Sequence, residues 1–261
     1  MKKYLFVLSA LVLFAFSSCK KFAGDPITKE FTIDGTYTEL EVHDAFDVTV
    51  SDEVDVITIT AGVNVMPYVI VEKVENTLKI YIKSSTTFYG GDLKAVIPYN
   101  ADLTKVDLSG ASEFHSVYGL AGHEVEVELS GASEFYCDIE ADEVDMDLSG
   151  ASQAEGYVNA SDLDLDMSGA SGATLWGQVT TLDLDLSGAS TIKKTITGLS
   201  YGFECDFCNG TMSGGSVAYI HCDLSIKVDL SGNSTLHFTG SAFTADSSCS
   251  GDSRIIHDEL P

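Results

Sequence analysis

Several sets of residues in this chain have types and spacings that chemistry can use. Cys205 and Cys208 form a CxxC, and His221 and Cys222 follow at a distance that resembles a zinc-binding set. Residues three apart in a strand point to opposite faces, which separates the two thiols and argues against zinc. A redox role needs the motif at the opening of a helix, and no helical period is visible here. Cys137, Cys205, Cys208, Cys222 and Cys249 are therefore expected as small core side chains, with disulfides open to them in an oxidising compartment. The sixth cysteine, Cys19, stands in SSCKK at 17–21, just after an apolar run, where bacterial lipoproteins carry the cysteine that receives lipid.

Paired carboxylates are the next candidates, because two acids flanking a sugar bond are the machinery of glycosidases. Here they recur in every repeat, so no pair is distinguished and no catalytic residue is expected. The same argument removes a Ser/His/Asp site: serine and aspartate belong to the repeat, and His43, His115, His123, His221, His237 and His257 share no position in it. Asp145, Asp147, Asp164, Asp166, Asp183 and Asp185 do fall on one face at spacings a hard cation can bridge. Weak calcium binding without a structural requirement is the expectation, since like charges about 4.8 Å apart repel by only about 0.9 kcal/mol in water. Neither a resident metal nor another cofactor is expected. Tyr118, Tyr136, Tyr157 and Trp176, with Phe88 and Tyr89, are candidates for sugar stacking, but their offsets within the repeats vary and corner packing is the expected role.

The element that must position these residues is the tetrapeptide SGAS, at 109–112, 130–133, 149–152, 168–171 and 187–190. CNGT at 208–211, SGNS at 231–234 and SGDS at 250–253 extend the series to eight copies. A period of 19 to 23 residues makes each copy one unit stacked on the next. Before each motif, apolar and acidic residues alternate, as in VDL106–108, MDL146–148 and LDL184–186. That period of two is a strand with one buried face. Leu108, Leu129, Leu148, Met167, Leu186, Phe207 and Leu230 then form an inward column, and Asp107, Glu128, Asp147, Asp166, Asp185, Asp206 and Asp229 an outward one. The expected fold is all-β, a right-handed parallel β-helix, because parallel crossovers are right-handed in about 98% of cases.

The chain opens MKK and runs apolar from Tyr4 to Phe16, too short to span a bilayer but right for a signal peptide. The expected organisation is a lipoprotein signal peptide over 1–18, a tether over 19–26, an N-terminal β segment over 27–104 covering the end of the stack, and the repeat over 105–261. Strands are expected at FTI31–33, YTELEV37–42, FDVTV46–50, DVITIT55–60, YVIVE68–72, TLKIYI77–82 and KAVI94–97. Net charge is −26 with one arginine, Arg254, and from 106 onward 26 acids face four cations. Nucleic acid is excluded as a partner of that region, because a phosphate backbone needs a basic footprint.

With VIPYNADLTKVDLSGASEF at 96–114, the recurring LSGAS, and FDVTVSDEVDVITITAGVNVMPYVIVEKVENTLKIYI at 46–82, the chain resembles the putative auto-transporter adhesin head (GIN) domain family of exported bacterial lipoproteins. The resemblance implies a β-helical fold and a role in the cell envelope, and it carries over no catalytic residues. HDAF at 43–46 lacks the glycine that the family has there. The resulting expectation is a non-catalytic outer-membrane lipoprotein, held to the membrane by lipid on Cys19, that presents an acidic surface to a glycan or protein ligand. The alternative is a polysaccharide-binding or polysaccharide-degrading β-helix protein, and for degradation a region so poor in cations offers little.

Overall fold

A computed structural model describes residues 21–83, 87–197 and 200–259. Its fold is all-β, and one sheet of 21 strands carries almost all of it. Successive repeats pair in parallel and in register. Lys105–Leu108 lies beside Glu126–Leu129, then Asp145–Leu148, Asp164–Met167 and Asp183–Leu186 follow. The alternation read from the sequence is the cause: a one-residue slip would turn every leucine outward and every aspartate inward. Leu108, Leu129, Leu148, Met167, Leu186 and Leu230 are buried in one column, and Val106, Val127, Met146, Leu165, Leu184 and Val228 in the next.

The sixth copy is not CNGT. Met212 pairs with Leu186 and Leu230 with Met212, so SGGS at 213–216 occupies the motif position and the interval before it is 26 residues. Met212 therefore takes the column place expected for Phe207, whose ring is 40% exposed. In the outward column Thr211 stands where Asp206 was expected, and Asn209 takes the place beside Asp183 two residues earlier. The extra length is spent before the strand, around a small antiparallel pairing of Ile196–Thr197 with Ser200–Tyr201.

The sheet is mixed rather than wholly parallel. Glu39–Val42 pairs in parallel with Lys105–Leu108 on one side and with Thr77–Ile80 on the other, so the N-terminal segment continues the stack. Beyond it the direction reverses: Val69–Val74 runs antiparallel to Thr77–Ile82, and Ile57–Gly62 antiparallel to both Pro26–Phe31 and part of Leu93–Pro98. The strand expected at 31–33 instead ends at Phe31. The edge of the first repeat is itself taken by parallel strands, Glu39 to Val42 beside Lys105–Leu108 and Asp47 to Thr49 beside Glu113–His115, and the antiparallel strands lie beyond them. Residues of the expected tether are also engaged, since Lys21–Phe22 pairs with Phe88–Tyr89 and Ala23 is buried.

Candidate functional site: the acidic face and its first corner

The corner motif sets the geometry of everything beside it. Its glycine has φ between +70° and +78° at positions 110, 131, 150, 169, 188, 214, 232 and 251, a region that favours residues without Cβ. A Cβ on Gly150 would lie 2.5 Å from the carbonyl oxygen of Gly131 in the rung before. The fourth motif residue, Ser112 through Ser234, is buried in each copy, and the hydroxyl of Ser133 donates to the carbonyls of Ser130 at 2.8 Å and Leu108 at 3.2 Å. These two residues turn the chain while the backbone ladder continues, and so hold the acidic strand in register from rung to rung.

On that strand, two outward columns run Lys105, Glu126, Asp145, Asp164, Asp183, Asn209, Lys227 and Asp107, Glu128, Asp147, Asp166, Asp185, Thr211, Asp229. Their ends are compensated. The Lys105 ammonium donates to Glu126 at 2.6 Å and Glu128 at 2.5 Å, Asn209 donates to Asp183 at 2.9 Å, and Thr211 to Asp185 at 2.7 Å. The middle carries the repulsion. Partial burial, with the charges of Asp147 and Asp164 next in order, pushes the Asp145 carboxyl up to about 6. Burial and neighbouring carboxylates raise Asp107, Asp164 and Asp166 as well. Alongside runs a groove of about 490 Å³ lined by Asp107, Glu128, Asp147, Asp166 and Asp185 with the leading motif serines Ser130, Ser149, Ser168 and Ser187. It is acidic, hydroxyl-rich and repetitive along its length.

The first corner departs from the rest. Val42 pairs with Leu108 and Asp47 with Glu113, so HDAF at 43–46 occupies the same place in the stack as SGAS at 109–112. Asp44, at φ +69°, takes the glycine position, and Phe46 the buried serine position. Elsewhere a leading serine such as Ser149 turns its hydroxyl to the carbonyl of Leu129 in the rung before, at 3.3 Å. Ser109 instead meets His43 Nδ1, while His43 Nε2 lies 2.7 Å from Glu41 Oε1 and the Lys79 ammonium donates to the other Glu41 oxygen. A Ser–His–Glu relay is thus present, although the sequence placed no such site. It joins the charge pattern of the columns: Glu41 precedes Asp107 in the outward column, and Lys79 and His43 offset both.

A family model described as "Putative auto-transporter adhesin, head GIN domain" matches residues 36–159 and 149–242. The chain belongs to this family. Three solved structures are similar to it in fold. A crystal structure of a putative adhesin from Parabacteroides merdae is 18% identical over 91% of this chain and 97% of that one, with a TM-score of 0.80. A putative lipid binding protein from Parabacteroides distasonis is 16% identical over 91% and 98%, at 0.77. A putative adhesin from the same species is 18% identical over 90% and 95%, at 0.74. No curated protein matches the chain.

Within this GIN-domain fold the remaining candidates are dispersed. Cys205 and Cys208 do not point to opposite faces. The chain bends between them, the pairing with the next rung shifts register there, and both are buried. The bond to Cys208 and burial push the Cys205 thiol up against a lowering by Cys222, and the Cys222 thiol is raised by its bond to Cys205 and by burial. Cys249 continues the Leu230 column but is exposed. Tyr118 packs on Tyr99 and donates to Asp52, Tyr136 stacks on His115, and Phe88 packs on Tyr68. Tyr157 and Trp176 are neighbours in one column, each 37% exposed. The aromatics thus fall into separate places. Cys19 lies outside the described residues.

One constellation was missed. Asp47, Glu113 and His115 each bring a ligand atom within 4.8 Å of the other two, and among the described residues no other such group of three His, Cys, Asp or Glu occurs. The six aspartates singled out for cations do not converge in this way. The signal in the sequence was the pair of segments after the corner, FDV46–48 and EFH113–115, which gain meaning only once HDAF is aligned with SGAS.

Proposed function

We propose that this chain is a non-catalytic, lipid-anchored protein of the cell envelope that presents its repeat as an adhesion or scaffold surface, with the rungs coiling right-handed. The observation that carries this reading is the ladder itself: the acidic groove is built from equivalent residues of successive rungs, which suits an extended partner and singles out no reacting bond. The adhesin description of the family agrees with it. Lipid on Cys19 supplies the membrane hold, and the acidic columns bind calcium weakly. Ligands compatible with the face are neutral glycans or proteins with basic patches, because polyanions are repelled.

Two experiments test this. A panel of neutral and acidic glycans scored separately for binding and cleavage should give binding without turnover. In fractionated cells, Cys19→Ser should move the protein from the membrane to the soluble fraction, and unchanged fractionation would remove the anchor. A hydrolytic second reading rests on the Ser109–His43–Glu41 relay alone. Labelling of Ser109 by a fluorophosphonate, lost in His43→Ala, would favour it over the non-catalytic reading.

A further inference from the structure

We propose that Asp47, Glu113 and His115 form a binding site for a zinc-type divalent transition metal, clamping the N-terminal segment to the first repeat. The site follows from the register. Glu113 and His115 are two apart on one strand and so share a face, and Asp47 is the direct neighbour of Glu113 on the adjoining strand. An imidazole with two carboxylates is a borderline donor set that suits zinc better than calcium, which takes oxygen alone. Ligands at about 2.1 Å around a tetrahedral zinc lie about 3.4 Å apart. His115 Nε2 stands 3.4 Å from Glu113 Oε2 already.

Two neighbours favour the arrangement. The His115 ring is stacked on Tyr136 at 4.7 Å with 5° between planes, which fixes its orientation before any ion arrives. Asp47 and Glu113 also line a cleft of about 630 Å³, whose walls include Phe88, Tyr89 and Lys94, so positions left open on a three-ligand metal adjoin space for water or a ligand group. Among the described residues Lys94 competes for Asp47, at 3.9 Å. At that distance, on a half-exposed side chain, it is a weak pair that a dication displaces. One rung on, the equivalent Glu134 accepts from the hydroxyl of Tyr136, which takes the place of His115 on that strand.

The test is calorimetry of the purified protein with zinc chloride and with calcium chloride at physiological salt, alongside thermal melting. The expected result is one saturable zinc equivalent in the micromolar range that raises the melting temperature, with calcium binding weaker and without a single-site isotherm. Glu113→Gln and His115→Phe should weaken zinc by about tenfold or more. Phenylalanine keeps the stack on Tyr136, so loss of affinity there reports the missing nitrogen rather than a lost fold. Asp147→Asn, in the acidic columns, should leave zinc binding unchanged. Absence of saturable zinc binding, or equal affinity in His115→Phe, would overturn the site. So would a loss in Asp147→Asn as large as in Glu113→Gln, since zinc would then be held by the columns at large.

Discussion

Ser133 and Ser152 hold the same place in successive corners, yet their hydroxyls differ. That of Ser133 donates to two carbonyls, whereas those of Ser152 and Ser171 are buried without a partner. A buried hydroxyl without a bond is a desolvation cost, and removing one that is bonded forfeits about 1 kcal/mol net. Ser133→Ala should therefore lower stability by about 1 kcal/mol in urea unfolding, while Ser152→Ala should be neutral or stabilising. Equal losses at both would show that the corner needs the hydroxyl for another reason. The sequence displays the serines but not this distinction, because both occur in an identical SGAS and only the three-dimensional turn sets which carbonyl is in reach. The same limit hid the Ser109 relay. His43 lies in, and Asp47 just after, a corner whose letters, HDAF, share only the alanine with SGAS; the glycine's usual place is filled by Asp44 in a left-handed conformation that only the backbone reveals.

At the scale of the rung, the inward and outward alternation was legible because period two is a direct consequence of strand geometry. Leu148→Asp and Leu186→Asp should each unfold the repeat, since burying a leucine is worth about 1.5–3 kcal/mol and an unpaired buried carboxylate costs more. Asp147→Asn and Asp185→Asn should not, and thermal melts that tolerated both classes equally would invert the columns. Gly150→Ala is expected to be as disruptive as the leucine changes. The added carbon meets the Gly131 carbonyl at 2.5 Å and demands a positive φ, so the rung must separate from its neighbour. A melting temperature within a few degrees of wild type would show that the corner can relax. Where the rung departs from the rule, the sequence misleads: CNGT sits at a familiar interval, but the segment around Ile196–Tyr201 lengthens that repeat and pushes the true corner to SGGS. Antiparallel pairing in the N-terminal segment was equally hidden, because alternation specifies a face and not a strand direction.

Across the whole molecule, the net charge of −26 becomes a statement about pH. Asp145 has an ordinary value of 3.8 and is pushed up to about 6 in the folded chain by burial and by its neighbours' charges. Between those values the native state holds more protons than the unfolded one, so this group destabilises the fold progressively as pH rises through about 6. Asp107, Asp164 and Asp166 are raised and act in the same direction. Glu41 and Asp258 act oppositely. Despite partial burial, bonds from Lys79 and His43 lower Glu41, and bonds from Tyr201 and His237 lower Asp258, so their stabilisation is present at neutral pH and disappears as pH falls through their depressed values. The two sets titrate in different windows. Melting temperature should therefore climb when the pH is lowered from 7.5 to about 5, pass through a maximum, and fall in stronger acid as the Glu41 and Asp258 bonds are lost. In Asp145→Asn the neutral-pH melting temperature should be higher than in wild type and the climb shallower, because the amide cannot charge. Salt should act like acid, since screening weakens repulsion along the columns. A melting temperature that fell steadily from pH 7.5 to 5 would mean that the ladder is not under the repulsion its geometry implies. Its acids would then be compensated by partners other than those seen at its two ends.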